Sequence, residues 1–518
     1  MSDLKRNGQY KTLIPAVGLL MLVLAVRAHD VLQMPVFVDE SLHIMRGKVV
    51  WTFSDLGESL NPKKLLFYYW IGFFGLNAPE SVWLARTATA LAALPGAALT
   101  YALGKRLFNR WAGLLALGLY LLVPFMVFFE RLALADSFTA TICMALIYTS
   151  LDFAKKPTLK QGLVVGAMLG LAALAKLTAL PLALVPVISV WLFGKTQPIR
   201  AYVRPLAAAG MVFVLLLTPP FAYVVIREIT GTKDRVVVEE YLYTTDDRGQ
   251  QILDNTERVF RAAVTLLSPE IVALAAVMMA YLAWRKPREL VFLGATVALA
   301  WGSVIVIAGA LSTRYLVIGV PPLLVLIAGG VTDATGFVHR EHRHVPNWRA
   351  VARLYWIAWA LLGLWAMSYA VPFILKTYHD PTELDLPTRD RWEYFTNTSA
   401  GYGLRELAAD VTHLQAGEDG KIHVIGFVPN CHSLPLYWTE PNRVVLDCPL
   451  FKWDTTKQQE MTEHLMGLAE QYDVVYMAVE PMNVYDLGQL PLEWIELADY
   501  SRPHNGVPVV LYQIRMEK

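Results

Sequence analysis

The stretch Leu13-Ile-Pro-Ala-Val-Gly-Leu-Leu-Met-Leu-Val-Leu-Ala-Val-Arg27, followed by Pro35-Val-Phe-Val-Asp-Glu-Ser-Leu-His43, decides how the chain is read. The first part forms the centre of an apolar segment of roughly the 17 to 25 residues that a membrane helix needs. The second places two carboxylates, Asp39 and Glu40, just beyond the outer end of that span. Carboxylates beside a bilayer are costly unless they are hydrated, paired or functional. The expectation is therefore a membrane enzyme whose acid pair takes a proton from an acceptor while a lipid substrate stays dissolved next door.

Outward from this stretch, the chain keeps the same character. Hydrophobic residues make up 55% and charged residues 17% of 518, with a mean hydropathy of +0.41, too apolar for an ordinary soluble chain. The formal net charge of +1 provides no global field for nucleic acid. Eleven apolar stretches read as spans, near 12–29, 81–104, 111–129, 136–154, 162–176, 178–194, 206–226, 263–283, 290–310, 315–332 and 354–374. With the N-terminus inside, each inner loop is basic: Lys105, Arg106 and Arg110; Lys155, Lys156 and Lys160; Lys195, Arg200 and Arg204; Arg285, Lys286 and Arg288; Arg340, Arg343, Arg349 and Arg353. Positive residues favour the cytoplasmic side, so the Asp39 loop and the tail are expected outside a multi-pass plasma-membrane protein. Arg27-Ala28 is a poor cleavage site, which makes the first span an uncleaved anchor.

Three outer loops carry charge that topology does not require. Residues 30–80 hold Asp39, Glu40, Lys63, Lys64 and the aromatic run Phe67-Tyr68-Tyr69-Trp70, the pattern of two interfacial helices at headgroup depth. The other two are Glu130-Arg131-Leu-Ala-Leu-Ala-Asp136 and Ser312-Thr-Arg314-Tyr315. Lys64, Arg131, Arg314 and Tyr315 on one side with two carboxylates suit an anion together with a proton acceptor, as a phosphate leaving group demands. Arg131 and Asp136 either contact substrate or brace each other across their turn, and Lys176 either snorkels or contacts substrate. Glu40 is a catalyst or an orienter of Asp39. His43, four residues after Asp39, shares its helix face; a substrate hydrogen bond or a satisfied helix face is favoured over a metal ligand, and a divalent metal is only weakly supported. His339, His342 and His344 read as a solvated inner loop. Gly401-Tyr-Gly403 lacks the spacing of a phosphate cradle and reads as a turn before a helix near Leu404.

Taken in order, Val38-Asp39-Glu40-Ser41, Pro62-Lys-Lys64-Leu-Leu-Phe-Tyr-Tyr-Trp70, Arg131-Leu-Ala-Leu-Ala-Asp136, Leu174-Ala-Lys176-Leu-Thr178 and Arg314-Tyr315-Leu-Val-Ile-Gly-Val-Pro321-Pro322-Leu323 resemble the GT-C membrane glycosyltransferases. That group contains the protein O-mannosyltransferases and the lipid A aminoarabinose transferases. The resemblance implies transfer of a sugar from a polyprenyl-phosphate carrier to a lipid, glycan or protein acceptor on the outer face, with inversion at the anomeric carbon. It implies Asp39 as general base or acceptor-orienting carboxylate, and Lys64 and Tyr315 on the carrier phosphate. Arg314 either shares that phosphate or clamps the entrance of the tenth span.

The expected fold class is a polytopic α-helical membrane protein of GT-C type with a small C-terminal α/β domain. Its boundaries are 1–375 for the membrane catalytic part and 376–518 for the outer domain. In that domain 404–414 and 461–471 read as helices, and 422–428, 474–479 and 507–514 as strands of a mainly parallel sheet. Cys431 and Cys448 either pair in an oxidising compartment or stand as unlinked thiols. Loop 227–260, with Asp246-Asp247-Arg248, is either a mobile cover or an ordered connection. The alternative to a transferase is a flippase or transporter of lipid-linked sugars.

Overall fold

The computed structural model describes residues 2–54, 56–60, 63–77, 80–194, 197–230, 248–309, 311–341, 348–438, 440–449, 458–472, 474–480 and 492–516. Asp246, Asp247, His342 and His344 lie outside the described residues. The chain packs as two compact units. The first holds 1–31, 49–73 and 86–387; the second holds 32–48, 74–85 and 388–518. The tail part of the second unit thus begins at 388 rather than at the expected 376, and the unit also takes in the Asp39 segment and residues 74–85.

The first unit is helical. Among the described residues, six helices are long and apolar enough to cross a membrane, or seven if one bent pair counts as a single span, and four further apolar helices are shorter. The departures from the expected spans have local causes. Pro124 removes a backbone donor, so 111–129 becomes Arg110–Leu122 and Pro124–Phe129. The segment expected to span from 263 breaks at Ser268, whose φ of 77° and capping hydroxyl start a new helix at Pro269, and Arg248–Leu267 meets Pro269–Arg285 at 107°. Segment 178–194 opens as a 3-10 helix, Leu177–Leu184, around Pro181 before Val185–Phe193. One close helix pair depends on glycine. A Cβ at Gly162 would stand 2.2 Å from the Pro205 carbonyl oxygen, and one at Gly166 would stand 2.2 Å from that of Ala209. This small-xxx-small stripe lets Leu159–Ala175 lie directly on Arg200–Ile229.

The second unit is built on a five-stranded sheet, with β1 Ile422–Phe427, β2 Val444–Asp447, β3 Val475–Val479, β4 Leu492–Arg502 and β5 Gly506–Met516, in the order β2-β1-β3-β5-β4. β1 runs parallel to β2 and β3, whereas β5 is antiparallel to β3 and β4. The sheet is therefore mixed rather than mainly parallel. Alternate residues of β1 enter opposite cores. Val424 packs with Leu404, Leu407 and Val411 of the helix Leu404–Val411, while Ile425 and Phe427 pack with Leu465 of Gln458–Gln471. Burial on both faces explains why β1 is apolar on both, apart from His423.

Candidate active site

Four of the residues singled out by charge sit where helices begin or break in the first unit. Lys64 precedes Leu65–Gly72 in a conformation that is neither helical nor extended, without capping it through its side chain. Asp136 lies in the first turn of Ala135–Lys155, where negative charge complements the helix dipole. Arg314 and Tyr315 open the 3-10 helix Thr313–Gly319, which the Trp301 indole holds by donating to the Leu316 carbonyl at 2.8 Å. The fifth member is Lys176, in the extended joint between Leu159–Ala175 and Leu177–Leu184.

Lys176 ties the group together. Its buried ammonium donates to Asp136 Oδ1 at 2.5 Å and stands 4.1 Å from the centroid of the Tyr315 ring. The Arg314 guanidinium is 5.6 Å from the same ring. Lys64 and Arg314 are close enough for their charges to act on Lys176. Lys176 is thus neither snorkelling to the surface nor isolated. It pairs with the carboxylate and covers the aromatic face of the tyrosine, a cation–π arrangement.

Arg131 does different work. It donates to the carbonyls of Val26, His29 and Asp30 at 2.9, 2.7 and 2.9 Å and lies over the Tyr378 ring at 4.8 Å. The preceding Glu130 accepts from Arg27 Nε at 2.8 Å and is also bonded to the Tyr120 hydroxyl. Both members of the Arg27–Glu130 pair are fully buried. Residues 130–131 therefore clamp the end of the helix Ser2–Ala28. Arg131 and Asp136 thus bond to separate partners rather than bracing each other.

The two carboxylates of the acid pair are in the second unit and differ from each other. They start the helix Val38–Val50. Glu40 is fully buried and accepts a hydrogen bond from the backbone N–H of Phe37 at 3.1 Å, one half of a capping box. Asp39, one residue earlier, is half-buried. His43 is buried one turn further along the same helix. Among the described residues no cluster of three or more His, Cys, Asp or Glu is arranged to hold a metal ion.

The tail builds the entry to this helix. Asn430, fully buried after β1, donates to the Val36 carbonyl at 2.8 Å and accepts from the Ser41 hydroxyl at 3.0 Å. Val38 N–H donates to the Ser399 carbonyl at 3.0 Å, and Val36 N–H donates to the Tyr437 hydroxyl at 2.6 Å. Phe37 packs on Tyr394 with ring centroids 4.6 Å apart. Cys431 and Cys448 form a disulfide with Cα atoms 5.9 Å apart, so of the two readings for these residues the paired one describes the fold. Beside it, burial holds His432 below the usual histidine value. Gly403, with φ of 79°, caps the helix that starts at Leu404, and its N–H donates to Glu406 at 3.0 Å, as the turn reading of Gly401-Tyr-Gly403 expects.

Sequence reasoning singled out Asp39, Glu40, Lys64, Arg314 and Tyr315, but missed Asn430 and the Lys176–Asp136 pair. Lys176 and Asp136 carried a signal, as charges flanking apolar runs. Asn430 carried none, since its partners Ser41 and Val36 are 389 and 394 residues away and Ser399 is 31 away.

Comparison with known proteins follows the same lines. Residues 63–223 match the family of dolichyl-phosphate-mannose-protein mannosyltransferases. No curated protein matches by sequence. ArnT from Cupriavidus metallidurans bound to undecaprenyl phosphate has a similar fold, with a TM-score of 0.61 at 16% identity over 96% of this chain and 97% of that one. Its apo state gives 0.59 at 15% identity over 98% of both. The Archaeoglobus fulgidus oligosaccharyltransferase is more distant, at 0.47 and 11% identity over 91% of this chain and 70% of that one. With the ArnT-like fold over nearly its full length and the mannosyltransferase match over residues 63–223, the chain resembles the GT-C membrane glycosyltransferases.

Proposed function

We propose that the chain transfers a sugar from a polyprenyl-phosphate carrier to an acceptor hydroxyl on the outer face of the plasma membrane, inverting the anomeric carbon. The observation that carries this reading is the gathering of Lys64, Lys176, Arg314 and Tyr315 at helix ends within a unit of apolar helices. Like charges in a low-dielectric setting repel strongly. A lipid phosphate is an anion of the right chemistry to relieve that repulsion, and it arrives from the bilayer. ArnT, which shares the fold, is described in complex with undecaprenyl phosphate.

In the reaction the acceptor oxygen attacks the anomeric carbon as the bond from that carbon to the phosphate oxygen breaks. The electron pair leaves with the polyprenyl phosphate, and the acceptor proton passes to Asp39. Lys64, Arg314 and Tyr315 stabilise charge growing on the leaving phosphate, an interaction stronger in the transition state than in the ground state. Glu40 orients the helix that carries Asp39. The N-terminus is cytoplasmic and the tail faces outward, where a disulfide persists; the acceptor is a lipid, glycan or protein hydroxyl.

The test uses the purified full-length chain in lipid nanodiscs with undecaprenyl phosphate as the binding probe. Lys64→Ala and Arg314→Ala are each expected to weaken binding at least about tenfold, the size of one lost charge-assisted contact of ~1.4 kcal/mol or more. Asp39→Asn is expected to bind normally yet lose about 10²- to 10⁴-fold in transfer, as removal of a general base does. Glu40→Gln keeps an acceptor oxygen for Phe37 and is expected to retain most activity. Unchanged probe binding in the Lys64→Ala/Arg314→Ala double variant would refute the phosphate site.

A further inference from the structure

We infer that Asn430 is a positioning residue for Asp39, acting through the first turn of the helix Val38–Val50. This rests on the reading of Asp39 as the proton acceptor. The amide of Asn430 bonds both to the backbone just before the helix and to a side chain inside it, donating to Val36 O at 2.8 Å and accepting from Ser41 Oγ at 3.0 Å. Its orientation is determined by chemistry, since turning the amide over would bring two acceptor oxygens together at Val36.

The geometry converts a point contact into a direction. Asp39 lies between the two gripped positions, so its Cα is bracketed from both sides. The Ser41 hydroxyl has one proton, which it donates to Asn430 or to Val38 O at 2.7 Å, and either bond ties the first turn together. Around the bracket, Val36 and Val38 are anchored by Tyr437 and Ser399. Gly401 admits the segment entering the helix so closely that a Cβ there would stand 2.4 Å from Val36 O.

Asn430 is itself set by its surroundings. It follows β1 and precedes Cys431, whose N–H donates to Val428 O at 3.1 Å and whose sulfur is bonded to Cys448. The Asn430 carbonyl accepts from Ser433 N–H at 3.0 Å and from the Ser433 hydroxyl at 2.8 Å. A fully buried amide that bonds to Val36, to Ser41 and, at 3.4 Å, to the Ser399 carbonyl that also receives the Val38 N–H is costly to build unless the aim of that turn matters. In enzymes, misplacement of a reacting group by about 1 Å can cost on the order of 10²-fold in rate.

The experiment combines hydrogen exchange with a double-mutant cycle on the full-length protein in nanodiscs. Turnover is read as undecaprenyl phosphate released from a lipid extract of cells lacking the chain. In Asn430→Ala, amides of residues 36–41 are expected to exchange at least about tenfold faster, while those around Lys176 keep their protection. Turnover is expected to fall roughly 10- to 100-fold with the half-saturating amount of extract unchanged. In the Asp39→Asn background the same substitution is expected to cause no further loss, because a residue acting through Asp39 has nothing left to position. Ser41→Ala, which removes the hydroxyl's contacts with Asn430 and Val38 but keeps the Asn430–Val36 bond, is expected to give the same pattern at smaller size and serves if Asn430→Ala does not fold. Equal losses in both backgrounds, or unchanged exchange at 36–41, would overturn the inference. If Asp39→Asn itself releases product at the wild-type rate, or wild-type protein releases none, the transfer reading fails instead, and the exchange result still shows whether Asn430 holds the turn.

Discussion

The ammonium of Lys176 and the carboxylate of Asp136 are bonded at 2.5 Å, with side chains only 10% and 3% exposed. Each occupies a helix boundary, so the pair joins the end of one apolar helix to the start of another. Burying two charges is repaid only when geometry is close and the remaining donors are used. Here the Tyr315 ring takes the other side of the ammonium.

Lys176→Met leaves the Asp136 carboxylate buried without its cation and is expected to destabilise the protein by about 3–5 kcal/mol. Asp136→Asn is expected to be destabilising too, because Lys176 then faces the charges of Lys64 and Arg314 without its carboxylate. The combination Lys176→Met with Asp136→Leu is expected to recover most of the stability but not the binding of undecaprenyl phosphate. Thermal unfolding in nanodiscs, paired with binding of the same probe, checks both. A double variant no more stable than either single one would show that the two residues do not act as a pair.

Much of this arrangement was legible before any coordinates. Apolar runs pointed to a helical membrane protein, and the polar residues between them drew attention to Lys64, Arg314 and Tyr315, which lie near Lys176. Strands with apolar runs on both faces, such as Ile422–Phe427, were readable for the same reason. β2 was not, being only the four residues Val444–Asp447. β4 was hidden because Glu493, Glu496 and Asp499 punctuate it and register shifts at Glu496/Ala498 and Tyr500/Arg502 break its alternation. The break at Ser268 escaped because a positive φ at serine has no compositional mark. Asn430 escaped because a single polar residue says nothing about a partner several hundred positions away.

The disulfide has a steric requirement at the penultimate residue of β1. A Cβ at Gly426 would stand 2.2 Å from Cys431 Sγ, and the sulfur, fixed by its bond to Cys448, has little freedom to yield. Gly426→Ala is expected to cost about 1–3 kcal/mol by overpacking and to leave part of the protein with Cys431 and Cys448 reduced. Removing the disulfide closing this 17-residue separation, by Cys431→Ser or by reductant, is expected to cost roughly 3 kcal/mol. Alkylation followed by mass measurement under non-reducing conditions checks the pairing: the wild type should show neither Cys431 nor Cys448 labelled. Full pairing and unchanged unfolding in Gly426→Ala would contradict the close approach.

His432 gives the second unit a pH dependence of known sign. Desolvation lowers its folded-state value from the usual 6.5, so the unfolded chain takes up the proton first as pH falls. Between 6.5 and the lower folded value the unfolded state binds more protons, and stability decreases with falling pH; below the folded value the loss is complete and the curve flattens. His432→Gln removes the titrating group and is expected to flatten this component. Thermal unfolding of the wild type and the variant at pH 7.5, 6.5 and 5.5 isolates it, because the two proteins differ at this residue alone. The difference between the two curves should widen toward acid pH in the sense of a weakened wild type. Parallel curves would mean that the imidazole is equally hydrated in both states.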